Sequence, residues 1–187
     1  MKQGVLIFAQ NNQTDDYVKQ AYLCAMSGMK NGNMHFTLVT DKEVEEKIAF
    51  VFDKVILLKH DQAKNSEWKI ENNLSPYDET IVVDSDVLFL EKINWSKFKD
   101  QELYFTQNPI TYRQEPINDT YYRKVFSQNY LINIYAGLYY FKKTKRVANF
   151  FALLETVIEN WQDFYEIFCK NHKPVSYTHL RAHETME

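Results

Sequence analysis

The sequence predicts an α/β fold with a Rossmann-like, mostly parallel sheet flanked by helices. Two observations predict it. Short apolar runs alternate with amphipathic helical stretches through the first half of the chain, and polar residues follow the first and fourth of these runs. Because parallel strands need a crossover connection, this alternation favours a parallel sheet. Hydrophobic residues make up 45% and aromatic residues 16% of the 187 residues, which is enough for the core of one domain.

The predicted strands are the apolar runs that stop at turn-forming residues. They cover residues 5–9, 35–40, 55–58, 80–83, 103–106 and 135–141. Helices are predicted where apolar residues recur at three- and four-residue spacing. The first starts at a cap on Thr14 or Asp15 and ends near Gly32, and the others cover residues 43–52, 67–74 and 145–168.

Two later segments differ in character. Residues 108–128 have no clear period and read as a long loop, of a length that is often functional or mobile. The helix at 145–168 carries one continuous apolar stripe, which is interpreted as core rather than as a cofactor site.

Charge and composition exclude several functional classes. The net charge of −3 and pI of about 6.0 provide no basic surface for nucleic acid. The four glycines fit neither a Walker A loop nor a dinucleotide fingerprint. Two cysteines without a C-x-x-C spacing, and no apolar run near the ~20 residues of a spanning helix, favour a cytoplasmic protein with no membrane span.

The last residues resemble the translation of a sequencing-library adapter, starting at Ser176. We therefore expect a single domain over residues 1–174, incomplete at its carboxyl end, and a non-native tail at 175–187. The alternative for the tail is a metal site formed by His179 and His183, which are four residues apart.

The motif that carries chemistry is Asp84, Ser85 and Asp86, the one Asp-x-Asp pair in the sequence, at the end of the predicted fourth strand. If the extended conformation persists, residues i and i+2 face the same side and the two carboxylates converge. The apolar residues 87–90 follow at once, so two like charges in a buried run would need a cation. Carboxylate oxygens suit Mg²⁺ or Mn²⁺, which keep positions open for phosphate oxygens. A loop after the first strand, with Gln10 and Asn11, is expected at the same sheet edge.

Taken in order, these pieces resemble a nucleotide-sugar glycosyltransferase of the GT-A fold, closest to the glycogenin-like, family-eight type. The matching segments are residues 5–12 with Tyr17, residues 38–40, residues 51–56, Lys69, residues 76–78 before the Asp-x-Asp strand, and residues 135–141. Together they cover roughly residues 4–170. Tyr135 stands where the family usually has Asn.

The resemblance implies transfer of a sugar from a nucleotide-diphosphate donor, of the UDP-sugar type, to a saccharide or protein acceptor. It implies Mn²⁺ or Mg²⁺ on Asp84 and Asp86. It also implies that the donor is bound by Ala9, Gln10, Asn11, Tyr17, Lys69, Ser85, Ala136 and Gly137. Gly137, lying within a strand, also permits a close approach to the backbone.

Three alternatives remain open at this point. The chain could be a truncated or degenerate nucleotide-binding protein without turnover. It could be a haloacid-dehalogenase-type phosphatase with Asp84 as nucleophile, although that motif usually begins the chain. A sugar-1-phosphate nucleotidyltransferase is disfavoured, because the loop after the first strand lacks the glycine-rich basic sequence that this class needs.

Overall fold

The structure is a computed structural model that describes residues 1–32, 34–58, 73–107, 110, 113, 130, 132 and 134–168. Several predictions fall outside these residues. They are the helix at 67–74 apart from its last two residues, Lys69, the loop at 108–128 apart from Ile110 and Arg113, and the tail at 175–187.

The described residues form one six-stranded sheet in the order β3-β2-β1-β4-β6-β5. The strands are β1 Gln3–Phe8, β2 Phe36–Thr40, β3 Lys54–Leu57, β4 Glu79–Val83, β5 Leu103–Gln107 and β6 Ile134–Lys142. The first four are parallel to one another, and β6 is antiparallel to both β4 and β5. The predicted α/β class with a mostly parallel core is therefore confirmed.

Helices cover both faces of the sheet. They are α1 Tyr17–Gly32, α2 Glu46–Ala49, α3 Lys145–Glu159 and α4 Trp161–Phe168, and a short 3₁₀ helix covers Trp95–Phe98. On one face, Ala21, Cys24 and Ala25 of α1 pack against alternate residues of β1, β2 and β4. On the other face, Val147 and Phe151 of α3 pack against the intervening strand residues. This alternation follows from the two-residue period of a strand.

Three helix predictions need correction. The cap of α1 is Asp16, whose Oδ1 accepts from the Lys19 backbone N–H at 3.0 Å, rather than Thr14 or Asp15. The helix predicted at 43–52 is only the four residues of α2, and its N-cap Glu45 makes no side-chain capping hydrogen bond. The helix predicted at 145–168 is two helices, since the chain leaves helical geometry at Asn160 with φ −114° and ψ 29°.

The predicted apolar stripe of that segment is core only near its start. Val147 and Phe151 are buried, whereas Phe150, Leu154 and Ile158 are half-buried. On the remaining faces, Leu153 and Ile167 are 62% and 59% exposed. Burial therefore decreases from the start of α3 toward α4.

The order of the strands fixes where a ligand can approach. From β1 the chain moves outward to β2 and β3, and then crosses back to β4 on the other side of β1. In open parallel sheets, ligands bind outside the carboxyl ends of the strands where the order reverses in this way. Here that position lies between β1 and β4, which run side by side with Ile7 opposite Val83.

Within the described residues, no helix is both long enough and apolar enough to cross a membrane.

Candidate functional site at the carboxyl edge of the sheet

The loop between β1 and α1 is ordered by its own asparagines. Asn12 Oδ1 accepts from the backbone N–H of Thr14 at 2.9 Å and of Asp15 at 2.6 Å, which forms an Asx turn. Asn11 Nδ2 donates to Asp16 at 2.9 Å, and Asn11 Oδ1 accepts from the Val18 N–H at 2.9 Å. The loop therefore has a set shape before any ligand binds, and Asn11 helps to fix the start of α1.

The Asp-x-Asp motif lies on a turn rather than on an extended strand. β4 ends at Val83, and the Val87 N–H donates to the Asp84 carbonyl at 3.3 Å, which closes a turn around Ser85 and Asp86. The predicted end of the fourth strand at Val83 is confirmed, but the extended backbone through Asp86, which would place the two carboxylates on one side, is not formed. Asp84 and Asp86 are both exposed, and Ser85 between them is 7% exposed.

Asp84 lies against the antiparallel strand β6. Its backbone N–H donates to the Gly137 carbonyl at 3.0 Å, so the β4–β6 pairing continues one residue beyond β4. A Cβ on Gly137 would overlap with Asp84 Oδ2 and would lie 2.6 Å from the Tyr135 phenol oxygen. Tyr135 donates its hydroxyl to Asp84 Oδ2 at 3.4 Å. The group that Gly137 admits is thus the Asp84 carboxylate, with the Tyr135 ring beside it.

An irregularity in β6 occurs at this same place. Phe105 of β5 pairs with Tyr139, but the next residue, Thr106, pairs with Tyr135. Residues 136–138 of β6 therefore lie opposite no residue of β5 in the ladder register. One of them is still bonded to β5 through a side chain, since Thr106 Oγ1 donates to the Leu138 carbonyl at 2.7 Å. Such bulges commonly redirect a strand next to a functional site.

The other side of the turn faces α1. Ser85 Oγ donates to Gln20 Oε1 at 3.3 Å. Burial, and to a smaller extent the negative charge of Asp86, raises the pKa of the Cys24 thiol on α1 to about 12. Cys24 is a buried free thiol that stays protonated at neutral pH, so it is not an activated nucleophile.

After the turn, residues 87–90 run beside the second half of α1 and are half-buried or exposed. The Phe89 N–H donates to Ser27 Oγ at 2.9 Å, and Asn31 Nδ2 donates to the Phe89 carbonyl at 2.8 Å. Val87 and Phe89 pack on the core, whereas Leu88 and Leu90 are 62% and 83% exposed. The expectation of a buried run around the aspartates is therefore wrong. Because Asp84 and Asp86 are exposed, water solvates their charges and the cost of burying a carboxylate is avoided.

The remaining predicted donor-binding residues lie in different environments. Ala9 is buried and donates its N–H to the Val39 carbonyl at 2.9 Å, and Gln10 after it is half-buried. Tyr17 begins α1 and packs, half-buried, against the core on that face. Ala136 lies on β6 within the bulged segment, and Lys69 lies outside the described residues.

Sequence reasoning missed two contacts at this edge. One is the bond from Ser85 to Gln20, which no local pattern announces because the partners are far apart in sequence. The other is Tyr135 on Asp84. Its signal was present, since Tyr135 and Gly137 are two residues apart on a strand and so share a face.

Two exposed carboxylates lie on one turn, and a glycine on the neighbouring strand leaves the space that the first carboxylate uses. Carboxylate oxygens are the ligands that a hard divalent cation prefers. The described residues contain no group of three or more His, Cys, Asp or Glu side chains that could hold a metal ion. An ion bound here would therefore take at most these two carboxylates from the described residues, and its further ligands would come from solvent or substrate.

No protein-family model matches the chain, and no curated protein matches it.

Proposed function

We propose that the protein is a metal-dependent glycosyltransferase that transfers a sugar from a nucleotide-diphosphate donor, of the UDP-sugar type, to a saccharide or protein acceptor. The observation that carries the proposal is the position of Asp84 and Asp86. They follow β4 directly, at the sheet edge where the strand order reverses, and both are exposed. That edge is the general ligand site of open parallel sheets.

Asp84 and Asp86 would hold Mn²⁺ or Mg²⁺, and the bound ion would supply the positive charge that offsets a diphosphate leaving group. Both carboxylates are exposed at this edge of the sheet. A pair of exposed carboxylates suits a cation rather than a phosphate directly.

The chain itself would position the donor. The loop after β1 is held in one shape by Asn11 and Asn12, so a nucleotide would meet a preformed surface beginning at Gln10. On the far side of Asp84, the bulged segment of β6 around Gly137 would lie beside the sugar. Preorganisation of this kind lowers the entropic cost of bringing donor and acceptor together.

The test is calorimetric titration of the full chain with UDP, with and without Mn²⁺. We expect saturable binding that requires Mn²⁺ and is abolished in Asp84→Asn, because the amide lacks the charge that holds the ion. Asp100→Asn is the matched control, since Asp100 is also exposed and lies on a turn away from this edge.

Equal binding by Asp84→Asn and Asp100→Asn, or no binding by wild-type protein with a normal unfolding transition, would contradict the proposal. Binding must be followed by turnover, measured as UDP released from UDP-sugars. Metal-dependent binding of UDP without release of UDP from any UDP-sugar would indicate a nucleotide-binding protein without turnover rather than a transferase.

A further inference from the structure

The Tyr135 hydroxyl donates a hydrogen bond to Asp84 Oδ2 at 3.4 Å. We propose that Tyr135 is a positioning residue that orients the Asp84 carboxylate for a divalent cation. The inference rests on the proposed function, because it takes Asp84 to be a metal ligand.

The strand geometry shows that this contact is built into β6. Tyr135 and Gly137 share one face of the strand, and the ring of Tyr135 crosses over Gly137 to reach Asp84. Any side chain at 137 would separate the two groups. The bulge removes this stretch of β6 from its regular pairing with β5, and the hydroxyl of Thr106 secures it instead.

Burial does not explain the position of the ring. Tyr139 and Tyr140 on the same strand are 3% and 1% exposed and pack within the two cores, whereas Tyr135 is 36% exposed. A tyrosine at the edge of the sheet contributes less by apolar burial than these two, and its hydroxyl meets a carboxylate. Tyr140 also donates to a carboxylate, that of the buried Glu79, so the feature that distinguishes Tyr135 is its hydrogen bond to an exposed carboxylate.

Carboxylates that bind metals commonly accept a hydrogen bond from an outer group, which fixes their orientation. A hydroxyl on Oδ2 restricts rotation of the Asp84 carboxylate, so less freedom is lost when the ion binds. The 3.4 Å distance is long, and bonds of this kind often tighten once the ligand is present.

The experiment measures Mn²⁺ affinity directly, from the electron paramagnetic resonance signal of the free ion, in the full chain without nucleotide. We expect Tyr135→Phe to weaken Mn²⁺ binding about tenfold, the lower end of the range for outer groups of metal ligands. Tyr104→Phe is the matched control. It removes the same hydroxyl from an exposed tyrosine on β5, whose ring contacts Phe98 and Tyr140, and its affinity should equal that of wild type.

Tyr135→Leu separates the hydroxyl from the ring. If the hydroxyl positions Asp84, Leu and Phe weaken binding equally. Unchanged affinity in Tyr135→Phe, or a loss in Leu that Phe does not share, would overturn the proposal while leaving the metal site intact. If wild-type protein does not bind Mn²⁺, or if Asp84→Asn binds it equally well, the proposed function fails and the role of Tyr135 fails with it. Thermal unfolding of each variant shows that the protein remains folded.

Discussion

A carboxylate lies at each end of β4, and the two differ in burial: Glu79 is buried and Asp84 is exposed. Glu79 at the start of β4 is 3% exposed. It accepts from Tyr140 Oη at 3.0 Å and from Gln3 Nε2, and Lys142 Nζ lies 3.7 Å away. Asp84, one residue beyond the end of β4, is exposed on a turn. The amino edge of the sheet is thus closed by paired groups, and the carboxyl edge is open.

The glycines repeat this contrast. A Cβ on Gly4 of β1 would overlap with the ring of Tyr77, which is fully buried and donates to Asp53 at 3.2 Å. A Cβ on Gly137 would instead meet Asp84 Oδ2 and the Tyr135 hydroxyl, which are the ends of side chains at the surface. The glycine at the amino edge therefore makes room for a buried ring, whereas the glycine at the carboxyl edge makes room for the ends of exposed side chains.

Two tyrosines at the closed edge have raised pKa values. Burial, and then its hydrogen bond to Glu79 and the charge of Glu79, raises the pKa of Tyr140 above its usual range. Burial is also the main reason that the pKa of Tyr77 is raised. Both phenols consequently remain neutral donors over the whole physiological pH range.

The largest expected loss of stability comes from removing the buried carboxylate of Glu79 at the amino edge. Glu79→Ala removes the acceptor of Tyr140 and the counter-charge of Lys142, so it should lower the free energy of unfolding by about 3–5 kcal/mol. Urea denaturation followed by circular dichroism measures the loss. Glu91→Ala, at an exposed position, is the control and should leave stability unchanged. A similar small loss for both variants would show that the paired groups at the amino edge do not stabilise the fold.

A pair of glycine variants tests the contrast more sharply. Gly4→Ala should cost about 1–3 kcal/mol of stability, because the Tyr77 ring has no room to move within the core. Gly137→Ala should cost less, since the side chains that it meets can swing toward solvent, but it should weaken Mn²⁺ binding by displacing Asp84 from Tyr135. Urea denaturation and Mn²⁺ titration of both variants give the two measurements.

The opposite pattern would refute this division of roles. If Gly137→Ala is destabilised as much as Gly4→Ala, the carboxyl edge is also part of the folding core. If Gly4→Ala is as stable as wild type but binds Mn²⁺ weakly, the two edges are coupled.

Much of the fold could be predicted from the sequence, because three of the four parallel strands, β1, β2 and β4, are buried on both faces along most of their length, whereas the edge strand β3 is half-buried or exposed. β2 and β4 are buried at every position, and their predicted ranges differ from the observed ones by a single residue. The length of α2 was overestimated because the apolar residues Val44, Ile48 and Val51 do pack against the core, although only four residues of that stretch are helical. Periodicity reports which face is buried more reliably than it reports helix length.

The site was less predictable than the fold. The edge that Asp84 and the loop after β1 share follows from strand order, which the alternation of elements suggested. The turn at Ser85 depends on a backbone hydrogen bond, and the role of Asn11 depends on a side-chain hydrogen bond to the start of α1. Short polar side chains can form several alternative local bonds of this kind, and the sequence alone does not rank them. The bulge in β6 depends on pairing across two strands distant in sequence, for which a single strand pattern holds no signal.

The smallest predicted effect concerns that bulge. Thr106→Val keeps the shape of the side chain but removes the hydroxyl that bonds to the Leu138 carbonyl. We expect a loss of about 0.5–1.5 kcal/mol in the free energy of unfolding, at the lower end because water can reach this carbonyl. The sharper readout is hydrogen exchange at the Asp84 amide, which donates to Gly137 next to Leu138. That amide should exchange faster in the variant, while the Ala9 amide, bonded to Val39 in the parallel core, should not change. Faster exchange at both amides would mean that the whole sheet is loosened. Unchanged exchange at Asp84 would mean that β6 keeps its approach to Asp84 without Thr106, so that the pairing with β4 alone holds the open edge in place.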